Sequence, residues 1–193
     1  MTESVDLLLI NPSYVDYGKH RLSYWDPYSL LEVMPPLGIL YTAAGAVAAG
    51  HTVKVIDMEA ERIRFSDIGP LVRSIRPAAV GIACASCLYV NLVELSRAIK
   101  DEIDVPIIAG GPHALVDPDS IMQLPSVDYC IRGEADYVIQ FLLAFIIDGK
   151  PAVDTIAGLS YKTDEGIQHN MPQDYVNDLD AVPFPPRYLL KNE

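Results

Sequence analysis

Positive charge is scarce in this chain. Its 193 residues include 14 lysines and arginines against 26 aspartates and glutamates, for a formal net charge of −12. No cluster or stripe of basic side chains interrupts this acidic background. Nucleic-acid binding depends on such clusters to neutralise phosphates, so the composition argues against a nucleic-acid partner.

Cysteine is also sparse and odd in number, at Cys84, Cys87 and Cys130. This usage is typical of a reduced, cytoplasmic protein with free thiols and not of a disulfide scaffold. Cys84 and Cys87 form a Cys-x-x-Cys pair, which can indicate zinc or redox chemistry. No second pair is present to complete a zinc site, so we predict core and loop thiols.

Long hydrophobic runs and targeting segments are missing as well. The longest weakly polar stretch, 37–50, has 14 residues, whereas a membrane-spanning helix needs about 20. The acidic amino terminus does not match a secretory signal. We therefore expect no membrane partner and a cytoplasmic location.

Motifs for catalysis and for dinucleotide binding are absent too. No Ser–His–Asp set, pair of catalytic carboxylates or closed metal constellation stands out, so no catalytic or metal-ligating residue is predicted. Asp57 follows the second predicted strand, where a dinucleotide-binding acid would lie. However, no Gly-x-Gly-x-x-Gly follows the first strand, which argues against a dinucleotide site.

The chain does contain short apolar segments that alternate with helical patterns. Segments rich in β-branched residues and bounded by glycine, proline or polar residues are typical of strands buried on both faces. The predicted strands are 5–10, 52–56, 79–84, 106–109 and 127–131, and the predicted helices are 37–49, 68–75, 91–102, 117–123 and 137–147. This alternation predicts an α/β fold with a doubly wound, flavodoxin-like (Rossmann-like) parallel sheet of five strands in the order 2-1-3-4-5. Asp67 is the expected N-cap of the second helix.

Two segments depart from the alternation. The connection over 11–32 is long and aromatic, with Tyr14, Tyr17, Tyr24, Trp25 and Tyr28; we predict a lid or cofactor-covering loop. Residues 156–193 predict a short β-hairpin with a turn at 164–166, followed by a proline-rich strip suited to a semi-rigid linker. The expected organisation is a domain over 1–150 and a hairpin and linker over 151–193.

Three strand ends carry the candidate site. The first ends at Asn11-Pro12, the third at Ser86-Cys87-Leu88, and the fourth at Gly110-Gly111 shortly before His113. In this strand order the three ends are neighbours at the carboxyl edge, where open α/β sheets bind ligands. Adjacent glycines allow a large, flat or phosphate-bearing ligand to approach the main chain. The alternative is that they only permit tight packing of strand against helix.

These motifs carry a family resemblance. Ser86-Cys87-Leu88 and Gly110-Gly111 match the Ser-x-Leu and Gly-Gly elements of cobalamin-binding domains. Together with Asn11-Pro12, they also fit a wider set: Pro35-Pro36-Leu37-Gly38, Arg132-Gly133-Glu134-Ala135 and the closing Leu179-Asp180-Ala181-Val182-Pro183-Phe184-Pro185. The set resembles the front part of cobalamin-dependent radical SAM enzymes, most closely the anaerobic magnesium-protoporphyrin IX monomethyl ester cyclase group.

The resemblance implies a role for each motif. Gly110-Gly111 would pass the nucleotide tail of cobalamin, Ser86 with Leu88 would contact its dimethylbenzimidazole, and Asn11 would approach the corrin face. Gly133 and Glu134 would lie beside the nucleotide end, and His20 is a weaker candidate to reach a metal or the corrin. The implied cofactor-binding set is Asn11, Pro12, Ser86, Cys87, Leu88, Gly110, Gly111, His113, Gly133 and Glu134.

The sequence departs from the family pattern in two ways. Cobalamin domains of methyltransferases and mutases carry a cobalt-ligating histidine after the first strand, whereas residues 11–18 contain none. The Cys-x-x-x-Cys-x-x-Cys signature of radical SAM enzymes is also absent, so this chain cannot hold their four-iron cluster.

The resemblance therefore implies a cobalamin-binding part that is not catalytic alone. SAM and the four-iron cluster would belong to a radical SAM partner domain outside these residues. The alternative hypothesis is a stand-alone flavodoxin-like binding or regulatory module for a phosphate-bearing ligand or a protein partner.

Overall fold

The computed structural model describes residues 4–14, 34–174 and 176–191, and it alternates strands and helices as the sequence predicts. The strands are β1 Leu7–Asn11, β2 Val53–Asp57, β3 Ala79–Ala83, β4 Ile107–Gly110, β5 Tyr129–Ile131, β6 Leu159–Thr163 and β7 Gly166–His169. The helices are α1 Leu37–Ala48, α2 Phe65–Ile75, α3 Tyr89–Lys100, α4 Pro112–Val116, α5 Pro118–Met122 and α6 Ala135–Asp148. Residues 15–32 of the aromatic connection, with Tyr17, His20, Tyr24, Trp25 and Tyr28, lie outside the described residues.

All seven strands form one sheet in the order β2-β1-β3-β4-β5-β6-β7. The first five are parallel, which confirms the doubly wound α/β fold and its 2-1-3-4-5 order. The prediction of a five-stranded sheet with a separate hairpin is wrong in one respect. Strand β6 pairs antiparallel with β5, opposing Cys130 with Ser160, so the hairpin extends the sheet. The physical reason is that the edge of β5 would otherwise leave its backbone groups unpaired.

The core lies on both faces of the sheet, as expected for strands that are apolar on both sides. One face packs against α2 and α3, around side chains such as Ile82, Leu92 and Leu95. The other packs against α1 and α6, around Leu9, Leu40 and Leu142. We call these the α2/α3 face and the α1/α6 face.

A close contact joins α1 to α6. Gly45 lies in the middle of α1, and a Cβ atom there would be 1.8 Å from the carbonyl oxygen of Asp136 in the first turn of α6. No other residue type can occupy this position without moving one of the helices, because protein interiors are close-packed. The contact fixes where the two helices lie above the sheet.

Helix α2 begins earlier than the sequence suggests. Arg64 is its N-cap, so the expected cap by Asp67 is wrong. Asp67 instead lies in the first turn and accepts a hydrogen bond from Arg64 Nε at 2.7 Å, which lowers the pKa of its carboxyl. A negative side chain in a first turn also suits the helix dipole. Across the described ranges, no helix has both the length and the apolar character needed to cross a membrane.

Candidate functional site

A cleft of about 730 Å³ opens at the carboxyl edge of the sheet, on the α1/α6 face. Its walls are the ends of β3, β4 and β5, the first turns of α1 and α6, and part of the carboxyl-terminal segment. The lining residues include Gly38, Tyr41, Thr42, Gly81, Ala83, Gly110, Gly111, Pro112, Ile131, Gly133, Glu134, Asp136, Val176, Leu179, Asp180, Val182 and Phe184. Its volume is in the range of about 300–1,000 Å³ that is usual for small-molecule sites.

Small side chains form the floor of this cleft. Ala83 of β3 pairs with Gly110 of β4. Gly81 lies two residues earlier on β3, but the side chain of Leu9 fills the space beside it, 2.6 Å from where a Cβ atom would be. A Cβ atom on Gly110 would meet only Ile131 Cβ, at 4.0 Å. Gly110 therefore faces open space, and its missing side chain contributes directly to the room for a ligand.

Gly111 differs from its neighbour. Its φ of 110° lies in the region that favours glycine, and a Cβ atom would be 3.0 Å from Cys84 O. The same carbonyl accepts a hydrogen bond from His113 N at 3.0 Å. Gly111 lines the cleft, but the turn into α4 requires it whether or not a ligand binds. Gly111 thus permits tight packing of the turn, which was the alternative explanation of the glycine pair, whereas Gly110 faces the open cleft.

Gly133 and Glu134 line the other side of the cleft, just before α6. The space above Gly133 is taken by Gln173, whose Oε1 would be 2.6 Å from a Cβ atom there. The same Oε1 accepts a hydrogen bond from Glu134 N at 3.0 Å. Gln173 therefore anchors the carboxyl-terminal segment at this point, a contact that sequence reasoning missed because the two positions are 39 residues apart.

Ser86 and His113 pair with each other outside the cleft lining. Ser86 Oγ is 3.0 Å from His113 Nδ1, and His113 Nε2 is 3.2 Å from Ser120 Oγ. Ser120 donates its only hydroxyl proton to Asp117 O, at 3.0 Å. His113 Nε2 then donates to Ser120 Oγ, and its Nδ1 pairs with the Ser86 hydroxyl. The network joins the turn after β3 to the start of α4 and α5 at the sheet edge.

The remaining residues of the Ser-x-Leu element have contrasting environments. Ser86–Leu88 forms a 3-10 turn that leads into α3, with Cys87 exposed and Leu88 buried. Cys84 is fully buried at the end of β3, and burial raises its thiol pKa to about 11. Within 4–14, 34–174 and 176–191, no group of His, Cys, Asp and Glu is arranged to hold a metal ion.

Asn11 and Pro12 lie at the end of β1, outside the cleft lining. Asn11 Nδ2 donates to Asp57 Oδ1 at 3.1 Å, tying β1 to the end of β2. Pro12 is buried, and Asn91 Nδ2 donates to Ser13 O at 2.7 Å. These two hydrogen bonds tie the start of the first loop to the end of β2 and to α3. The predicted site residues thus form two groups: Gly110, Gly111, Gly133 and Glu134 in the cleft, and Asn11, Pro12, Ser86, Cys87, Leu88 and His113 outside its lining.

The charge of the cleft is negative. Its ionisable side chains are the carboxylates of Glu134, Asp136 and Asp180, joined by the phenol of Tyr41; no lysine, arginine or histidine is among the described residues that line it. Such a surface repels a terminal phosphate, which carries a charge of about −1.5 to −2 at pH 7. It accepts hydrogen bonds from amide groups instead.

Comparison with known proteins adds independent evidence. Residues 29–143 match the sequence model of the B12 binding domain. The chain is 32% identical over 160 residues to an uncharacterised methyltransferase of Pyrococcus horikoshii, covering 81% of this chain and 34% of that protein. It is 24% identical over 179 residues to the anaerobic magnesium-protoporphyrin IX monomethyl ester cyclase of Synechocystis, covering 91% of this chain and 34% of the cyclase.

Two solved structures share the fold. The radical SAM methyltransferase TsrM from Kitasatospora setae, with cobalamin and a 4Fe–4S cluster bound, gives a TM-score of 0.71 at 18% identity over 98% of this chain and 34% of TsrM. The cobalamin-dependent radical SAM enzyme OxsB, with aqua-cobalamin and S-adenosylmethionine bound, gives 0.70 at 18% identity over 95% of this chain and 24% of OxsB. The chain spans about a third or less of each of these proteins.

These findings confirm the resemblance derived from the sequence motifs, and cobalamin as the cofactor of the family. They favour the cobalamin hypothesis over a stand-alone module for a phosphate-bearing ligand. The family match covers more than half of the residues. The chain belongs to the B12-binding domain family.

Proposed function

We propose that the cleft on the α1/α6 face holds the nucleotide tail of cobalamin, and that this chain is the cobalamin-carrying part of a radical SAM protein. The observation that carries the proposal is the floor of Ala83 and Gly110, at the carboxyl ends of β3 and β4. It leaves a cavity at the edge where parallel α/β sheets bind ligands. The match to the B12 binding domain supports cobalamin as the ligand.

The residues present fit such a tail. A side chain at Gly110 would occupy the volume that the ligand needs, since nothing but Ile131 lies within 4 Å of its missing Cβ. The carboxylates of Glu134, Asp136 and Asp180 can accept hydrogen bonds from the amide groups of the corrin periphery.

The chain's own contribution is binding and orientation. Cobalamin supplies the organometallic chemistry of its cobalt when bound. Residues 11–18 offer no histidine to the metal, so we propose that the tail contacts hold the cofactor in place of a cobalt ligand from that loop. Among the residues outside the lining, Ser86 and Leu88 remain proposed contacts to the dimethylbenzimidazole and Asn11 to the corrin face. Pro12, Cys87 and His113 remain proposed cofactor contacts.

The proposed organisation keeps residues 1–150 as the cofactor-binding part and 151–193 as the connection to a radical SAM domain that carries SAM and the four-iron cluster. A coding sequence that continues into Cys-x-x-x-Cys-x-x-Cys supports this arrangement, and one without that motif contradicts it. We also propose a cytoplasmic protein without a nucleic-acid or membrane partner. Three free cysteines and the net charge of −12 support this.

The test compares two ligands by equilibrium dialysis. Hydroxocobalamin carries the nucleotide tail, whereas cobinamide has the same corrin without it. We expect the chain to bind hydroxocobalamin at least about tenfold more tightly, which corresponds to about 1.4 kcal/mol. Equal affinity for both ligands, or no binding of either, would contradict a tail-binding cleft.

A substitution locates the tail. Gly110→Val fills the floor but suits a strand, because β-branched residues favour extended backbone. Overfilling a site costs about 1–3 kcal/mol, so hydroxocobalamin binding should weaken by about 5- to 150-fold while cobinamide binding stays unchanged. Ala152→Leu adds apolar bulk at an exposed position outside the cleft and should bind as the unmodified chain does. A folded Gly110→Val protein with unaltered affinity would place the tail elsewhere.

A further inference from the structure

The carboxyl-terminal segment contributes a wall to the cleft. Val176, Leu179, Asp180, Val182 and Phe184 all line it, and we call residues 176–184 the strap. The strap lies beyond residues 29–143, which match the family, and beyond the cofactor-binding part predicted over 1–150. From the sequence alone it was predicted to be a linker.

Contacts on either side of the strap hold its ends. Before it, Gln173 Oε1 accepts the hydrogen bond from Glu134 N. After it, Leu189 and Leu190 pack against the core of the α1/α6 face, and Lys191 Nζ is 2.9 Å from Glu61 Oε2. The chain therefore crosses from the side of α6 to the side of β2, with the strap between two fixed points.

The apolar side chains of the strap itself are largely exposed. Leu179 is 76% exposed and Phe184 is 93% exposed, although both border the cleft. Val176 and Val182 also line a second cavity of about 810 Å³, on the side of the strap that faces α6 and the end of α1. Open space on both sides means that the strap's apolar side chains have little to pack against in this structure. Exposed apolar side chains that rim a pocket mark a binding surface.

We propose that the strap is the outer wall of the tail site, with Leu179 and Phe184 packing against the aromatic base of the cobalamin nucleotide. This inference rests on the proposed function. Tyr41 of α1, 38% exposed and also in the cleft lining, faces the same space. Flat aromatic groups gain most from contact with such apolar and aromatic side chains. The strap then controls how long cobalamin stays bound, because release requires these contacts to break first.

The experiment measures the dissociation rate of hydroxocobalamin from the Leu179→Ser/Phe184→Ser double variant. Losing two apolar contacts should speed dissociation by about tenfold or more, with little change in the association rate. Met171→Ser is the matched control. Met171 is 79% exposed in the same part of the chain but lines neither cavity, so its dissociation rate should not change.

Backbone amide exchange provides a second measurement. Hydroxocobalamin should slow exchange over 176–184, whereas cobinamide should not. A double variant that releases hydroxocobalamin at the normal rate, while Gly110→Val weakens binding, would overturn the role of the strap and leave the tail cleft intact. If neither variant alters hydroxocobalamin binding, the proposal that the tail lies in this cleft is wrong, and so is the proposed role of the strap.

Discussion

The contact between α1 and α6 gives the sharpest prediction about how the cleft is built. In Gly45→Ala, the new Cβ atom would be 1.8 Å from Asp136 O, where ordinary contacts begin at 3.4 Å. The helices must separate, because neither backbone can yield locally. Overpacking of this kind costs about 1–3 kcal/mol, occasionally more. Alanine recovers up to about 1 kcal/mol through its better helix propensity. We expect a net loss of about 2 kcal/mol.

Gly38→Ala, in the same helix, is the matched control. A Cβ atom on Gly38 meets nothing within 4 Å, so only the propensity gain of up to about 1 kcal/mol remains. Urea unfolding followed by circular dichroism should therefore separate the two variants by about 2–3 kcal/mol, at unchanged m-value. Equal stability of the two variants would refute the claim that backbone contact at Gly45 fixes the helices.

Three further outcomes follow from particular contacts. Gly111→Ala should lose at least about 1–2 kcal/mol of stability in thermal unfolding, since its positive φ strains any other residue. A thiol reagent at pH 8 should modify Cys87 alone in the folded chain, and all three cysteines after unfolding. Burial raises the pKa of Cys84 to about 11 and that of Cys130 to about 12, so both stay protonated at that pH. Lys191→Ala should cost no more than about 1 kcal/mol, yet should speed amide exchange in the strap.

The sheet was predictable from the sequence because its signals are local. Apolar segments such as β1 and β4 are bounded by proline, glycine or polar residues, and the order of the first five strands follows from right-handed crossovers. The glycine pair at the end of β4 likewise lies at the edge of the sheet where the cleft opens. The sequence of this pair did not show that Gly110 faces the cleft while Gly111 is required by the turn into α4. That difference depends on the position of Cys84, which is set by the packing of β3 against β4 and not by the local sequence.

The strap and the Gln173 anchor were not predictable for a related reason. A proline-rich strip is equally compatible with a free linker and with a segment laid across a pocket. What decides between them is contact with Glu134 and Glu61, both remote in sequence. The hairpin was predicted as a unit, but its pairing with β5 depends on the free edge of that strand. Local patterns identify such segments without saying what they pack against.

The cleft itself left a signal in the sequence of β3. Residues 79–83 alternate small and large side chains, with Val80 and Ile82 packed on the α2/α3 face and Gly81 and Ala83 turned to the other face. Small residues on one face of a strand allow either close approach of a helix or an open pocket. The side chain of Leu9 fills the space beside Gly81, and the contact of Gly45 with α6 fixes where α1 lies above this face. The proposed tail site therefore also depends on Gly45, which lies outside the cleft lining.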